Sequence, residues 1–117
     1  MLSCLDDEAV RNILRHQELH PYTANTVKRL DQLLTDLRVI RRRGYAVDNE
    51  EIEIGLRCVG APLKDYTGAM VGAISAAAPS ARLSAQQISR VGKLVMTVAE
   101  EISVKLGFEK PMKAKAQ

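Results

Sequence analysis

The sequence predicts an α+β domain in which helices pack on an antiparallel sheet. Three features of its 117 residues lead there. Two long segments, one in the first half and one near the C-terminus, repeat apolar residues at three- and four-residue spacing, the signature of an amphipathic helix. Between them lie three short apolar segments of strand character. Two of those segments flank a tight turn, which forces them to pair antiparallel.

Asp6 to Gln17 reads as a first helix. Asp6 can cap it, and Asp7 and Glu8 suit the positive end of its dipole. Val10, Ile13 and Leu14 form the apolar stripe, and His20-Pro21 breaks the pattern. A second helix is expected from about Val27 to Arg43, with Thr26 as cap. Leu30, Leu33, Leu34, Leu37 and Ile40 share one face, three arginines fill the last turn, and Gly44 stands where a left-handed residue ends a helix. Tyr45 to Asp48 reads as a short strand and Asn49 to Glu53 as an acidic loop. Gly55 to Leu63 and Ala69 to Ala77 read as two strands joined through Asp65-Tyr66-Thr67-Gly68, with Asp first and Gly fourth in the turn. Pro79 closes the second of them. Ser84 begins the last helix and Gln87 completes a capping box. Its expected stripe is Ile88, Val91, Leu94, Val95, Val98, Ile102 and Leu106, and Gly107 ends it. Residues 109–117 are expected to form a disordered tail, so that residues 1–108 make the domain. Three strands are few for such helices, and further strands upstream or a partner chain are expected to complete the sheet.

Composition narrows the functions. Hydrophobic residues make up 46% and charged residues 26%, as in a globular domain. Three Tyr, one Phe and no Trp offer few stacking platforms for nucleic-acid bases. The net charge of +3 is mild. Its clusters, Arg38 with Arg41, Arg42 and Arg43, and Lys105, Lys110, Lys113 and Lys115, fit a helix C-terminus and a solvated tail rather than a recognition stripe. Cys4 and Cys58 stand far apart with no CxxC and no metal spacing, and His16 and His20 have no partner ligand nearby. No cofactor motif, metal site, signal peptide or membrane span is read, and a cytoplasmic location with reduced thiols is expected.

The hairpin gathers the candidate binding residues. Pairing Lys64 with Ala69 puts Cys58 opposite Ser75. Leu56, Cys58 and Gly60 then share a face with Ala73, Ser75 and Ala77, because side chains alternate along a strand. A thiol and a hydroxyl among Gly and Ala leave room for a small polar ligand, although such residues also fill ordinary buried sheets. Asp48, ending the short strand, reaches the same region if that strand neighbours the hairpin; its other reading is a turn or cap residue.

The run Arg42-Arg43-Gly44-Tyr45-Ala46-Val47-Asp48-Asn49-Glu50-Glu51 continues as Gly55-Leu56-Arg57-Cys58-Val59-Gly60-Ala61-Pro62-Leu63, then Asp65, Gly68, Ala73-Ile74-Ser75, Pro79 and Arg82-Leu83-Ser84. With Thr23 to Thr26 upstream, this order and spacing resembles bacterial transcriptional regulators of the IclR type over roughly residues 1–108. The resemblance implies the later part of a GAF-like effector-binding domain, truncated on its N-terminal side. It implies a homo-oligomer and a small organic acid as effector. DNA would be reached only through a helix-turn-helix domain that this chain lacks. The family's pocket residues fall on Asp48, Cys58 and Ser75. A second hydroxyl found in some relatives two positions beyond the serine is Ala77 here, so ligand identity does not transfer. The family's small-residue segment that contacts a ligand carboxylate is also missing, which leaves the site open on one side.

Three functions compete on these grounds. One is a small-molecule sensing module of a DNA-binding regulator. The second is a truncated remnant or interaction protein that pairs with a full-length regulator without ligand. The third is an enzyme with Cys58 as nucleophile, disfavoured because no base stands near it in sequence. The expectation is a sensing module and not an enzyme.

Overall fold

The computed structural model describes residues 1–15 and 17–109. His16 and residues 110–117 lie outside the described residues, and with them most of the expected tail.

A short 3₁₀ turn, Leu2–Cys4, precedes helix α1, Asp7–Leu14. The Asp6 carboxylate caps α1 by accepting the Ala9 N–H at 2.8 Å, as the sequence predicts. Helix α2 spans Leu30–Arg43 and starts three residues later than expected. The reason is that Thr26 is engaged elsewhere. Its hydroxyl donates to the Glu51 carbonyl, while the Thr23 hydroxyl donates to the Glu50 carbonyl at 2.6 Å. The two threonines therefore tie the loop before α2 to the segment after the first strand, and a residue held there cannot cap a helix. At the other end Gly44, at φ +93°, donates its N–H to the Ile40 carbonyl and stops α2 as its sequence position predicts. Val10, Leu34 and Leu37 bury one another between α1 and α2. The same pair of helices is pinned at the surface by Asp7, which accepts from Arg38 and Arg41 at 2.9 Å each.

Strands β1 (Ala46–Asn49), β2 (Leu56–Lys64) and β3 (Met70–Pro79) form an antiparallel sheet in that order. The turn is the one predicted: the Asp65 carboxylate accepts the Thr67 N–H at 2.8 Å, and Gly68 takes φ +81°. The expected register needs correction. Lys64 pairs with Met70 rather than Ala69, and an irregularity at Leu63/Lys64 adds a further step. Gly60 therefore faces Ser75, and Cys58 faces Ala77. The total shift is two residues, an even number, so each side chain keeps its predicted face.

Helix α3, Ala85–Lys105, carries the predicted Ser84–Gln87 capping box and packs on one face of the sheet. Val59, Ala61, Val95 and Ala99 form the centre of this core, with Val47, Leu63, Ile74, Ala76, Ile88 and Val91 around it. The expected seven-residue stripe divides. Its inner part meets the sheet, while Leu94 and Val98 are 60% and 45% exposed and Leu106 is also exposed. The positions that replace them inside are Gly92 and Ser103, which hydropathy alone does not mark.

Candidate functional site

The alternation that buries Val47, Val59, Ile74 and Ala76 beneath α3 sends their neighbours to the opposite side. Asp48 stands directly opposite Cys58 across β1 and β2. Ser75 is opposite Gly60, one step diagonal from Cys58 across β2 and β3. The three residues singled out from the sequence therefore share the face that α3 does not cover. Diagonal neighbours in an antiparallel pair lie about 7–8 Å apart, against about 5 Å for opposed ones. Cys58 and Ser75 are thus further apart than the predicted direct opposition, with the bare backbone of Gly60 between them.

That glycine shapes the site. A β-carbon at Gly60 would sit 3.7 Å from the β-carbon of Ser75, so its absence leaves a notch beside the hydroxyl. Ala73 and Ala77 flank Ser75 with methyl groups only, and all three are exposed, whereas Asp48 and Cys58 are partly buried. The result is a shallow floor, polar at three points and open above. A hollow of about 570 Å³ lies elsewhere, between α2 and α3, and is lined by Ile40, Arg41, Ala61, Met96 and Phe108 among others.

Asp48 has a structural task as well. One of its carboxylate oxygens accepts the Glu51 N–H at 2.9 Å and shapes the turn after β1, so the turn reading of this residue holds alongside its position on the site face. Burial pushes the Cys58 thiol above its ordinary value, and the negative charge of Asp48 pushes it the same way. Cys58 is held as a neutral S–H, a weak donor, which is the wrong state for a nucleophile. Burial likewise raises the Glu51 carboxyl, reinforced by the charges of Asp48 and Asp36. Among the described residues no group of three or more His, Cys, Asp or Glu is arranged to hold a metal ion.

Arg57, beside Cys58 in sequence, locks the frame. Its guanidinium donates to the Asn49 side chain and the Leu83 carbonyl, both at 2.9 Å, joining β1, β2 and the approach to α3. Sequence reasoning gave Arg57 and Thr23 no bonding role and made Thr26 a helix cap. Their partners are backbone carbonyls and a side chain on other elements, which no local spacing reveals.

The comparisons with known proteins agree with this architecture. The family model described as bacterial transcriptional regulator IclR C-terminal matches residues 1–104. The chain belongs to the IclR family. It is 36% identical over 109 residues to the HTH-type transcriptional repressor AllR of Escherichia coli (strain K12), covering 93% of this chain and 40% of that protein. Among solved structures, the Agobacterium tumefaciens repressor BlcR matches with a TM-score of 0.87 at 32% identity, over 93% of this chain and 44% of that one. Thermotoga maritima IclR matches with a TM-score of 0.85 at 38% identity, over 92% and 43%. The α+β class read from the sequence is thus the fold of the C-terminal domain of IclR-family proteins. The chain spans about 40% of the length of the curated relatives it matches. Those relatives are transcriptional repressors. No helix among the described residues is long and apolar enough to cross a membrane.

Proposed function

We propose that the bare face of the sheet is an effector-binding floor, and that the chain acts as the small-molecule sensing part of an IclR-type regulator. One observation carries this reading: Asp48, Cys58 and Ser75 share the face that α3 leaves uncovered, around a glycine notch. The ligand is a small organic acid. The Ser75 hydroxyl and the Cys58 thiol donate to its oxygens, and the remaining capacity of the Asp48 carboxylate accepts from a ligand hydroxyl, a hydrate or a bound water. An effector that binds two conformations unequally shifts their populations. In an oligomer linked to a helix-turn-helix domain outside this chain, that shift alters operator affinity. A cytoplasmic setting, where thiols stay reduced, suits the free Cys58.

Titration calorimetry with small 2-oxo, 2-hydroxy and hydroxybenzoic acids tests the assignment. Ser75→Ala and Cys58→Ala should each weaken binding of whichever acid binds by about 0.5–1.5 kcal/mol, the worth of one hydrogen bond. That is roughly two- to tenfold in affinity. Unchanged affinity in both variants, with far-UV circular dichroism intact, would refute it.

A further inference from the structure

Helix α2 begins without a side-chain cap. Arg29 stands at its N-cap position in extended backbone, φ −117° and ψ 136°, and its side chain carries no acceptor for the first-turn N–H groups. The guanidinium turns instead to Asp31, donating to its two carboxylate oxygens at 3.1 and 2.9 Å. A residue that caps well, Thr26, stands just upstream, separated from Leu30 by Val27, Lys28 and Arg29. None of the three is Pro or Gly, so nothing in that stretch forbids helix.

Thr26 is committed to another task. Its hydroxyl donates to the Glu51 carbonyl and accepts the Thr23 N–H at 2.9 Å. The Thr23 hydroxyl accepts the Asn25 N–H at 3.0 Å and donates to the Glu50 carbonyl at 2.6 Å. The shape of this loop and its hold on residues 50 and 51 therefore depend on the same two hydroxyls. The sheet sets the other half of the latch. The Glu50 carbonyl and the Glu51 N–H belong to one peptide unit, gripped by Thr23 at its oxygen and by the Asp48 carboxylate at its nitrogen, 2.9 Å away. Glu50 sits at φ +57°, which a residue with a side chain keeps only while its surroundings hold it there.

We infer that α2 has a second start. When the Glu50–Glu51 peptide leaves the orientation that Asp48 fixes, Thr26 releases the Glu51 carbonyl and caps a longer α2 that begins at Val27. The hydroxyl makes one bond in either state, to a carbonyl in one and from a first-turn N–H in the other, so the two lie close in free energy. Lys28 and Arg29 bring cations to the positive end of the longer helix, which keeps the short form dominant. In the long form three residues contract from about 3.3 to 1.5 Å each, drawing the α1–α2 loop roughly 5 Å along the helix axis. A ligand hydroxyl donating to Asp48 shares the carboxylate with the Glu51 N–H, loosens that bond and favours the long form. This last link rests on the effector reading of the floor; the choice between two starts does not.

Carbon secondary shifts of residues 26–30, measured by NMR on the 117-residue chain without any ligand, read where α2 begins. Thr26→Asp removes the donor and supplies a strong cap, so Val27, Lys28 and Arg29 should take helical shifts. Asp48→Ala frees the Glu51 N–H. It should move the same three residues in the same direction and speed exchange of the remote Thr23 amide at least about fivefold, the lower end of coupling between sites. Thr26→Val has neither latch nor cap and should leave the three residues non-helical, while Thr26→Ser should keep the parent pattern. Unmoved signals of Val59 and Ala61 beneath α3 show that each variant is folded. Non-helical shifts at Val27–Arg29 in Thr26→Asp overturn the inference, as do helical shifts in Thr26→Val. Helical shifts in Thr26→Asp but not in Asp48→Ala overturn the part given to Asp48. A calorimetric search in which no acid binds would sink the effector reading and leave all these shifts unchanged.

Discussion

The Tyr45 ring occupies the space a side chain at Gly92 would need: a β-carbon there would lie 2.4 Å from Cε2 of the ring, with two further ring atoms within 2.7 Å. Tyr45 is buried at the entrance to β1, and Gly92 is buried in the middle of α3. This one contact fixes how closely the helix approaches the start of the sheet.

Gly92→Ala tests the contact through the sign of its effect. Glycine inside a helix costs about 1 kcal/mol relative to alanine, so propensity alone predicts stabilisation. Three contacts below 3 Å with a ring anchored in the core predict an overpacking loss of about 1–3 kcal/mol. The upper part of that range applies, since the neighbour is a rigid ring, and overpacking wins. A net loss of about 1–2 kcal/mol is expected, read as a fall of at least roughly 4 °C in Tm by calorimetry. A rise in Tm would mean that the ring moves aside freely.

Ser103 makes a second link between α3 and the sheet. Its buried hydroxyl donates to the Ala99 carbonyl at 2.8 Å and accepts the Lys64 N–H at 3.0 Å, where the β2–β3 register breaks. Ser103→Ala changes little volume but strips the Lys64 amide of that partner, at a cost of about 1–3 kcal/mol. Thr97→Ala is the matched control. Its hydroxyl also donates to the carbonyl four residues back, Lys93, but on the exposed side of α3. That change should stay within about 0.5 kcal/mol. Equal effects in urea titrations of the two variants would contradict the role given to Ser103.

The Cys58 thiol reports on the candidate site through pH. Its pKa is raised first by burial and then by Asp48. Thiolate is the reactive form, so the rate of alkylation by iodoacetamide should climb with pH and level off only above the ordinary thiol value of 9.0. The linkage has the same sign. A thiol pKa higher in the folded chain than in the unfolded one leaves stability intact below the unfolded value, and stability falls as pH rises through the folded one. Asp48→Asn removes the adjacent charge and should move the alkylation midpoint to lower pH. An unmoved midpoint would mean that Asp48 and Cys58 do not share a face as the register requires.

Sequence reading succeeded where one local rule governs one residue. Asp6, the Ser84–Gln87 box, Gly44 and the Asp65–Gly68 turn each act within four positions of themselves, so spacing alone reveals them. The common face of Asp48, Cys58 and Ser75 was legible because a two-residue slip preserves alternation. The opposed partner of Cys58 was not, since it depends on an irregularity two residues from the turn. The late start of α2 was hidden because Thr26 reaches a carbonyl 25 residues away. Hydropathy likewise offered Leu94 and Val98 for burial and passed over Gly92 and Ser103, because close approach of a ring and of a strand end rewards small size above apolarity.

The two sides of the sheet answer to different demands. Val59 and Ala61 are held in place by everything beneath α3, while Ser75, Ala73 and Ala77 touch little that folding requires. Exchanges on the exposed side can therefore accumulate with small thermodynamic penalty, and chemical preference can drift from one descendant to another while the scaffold stays constant.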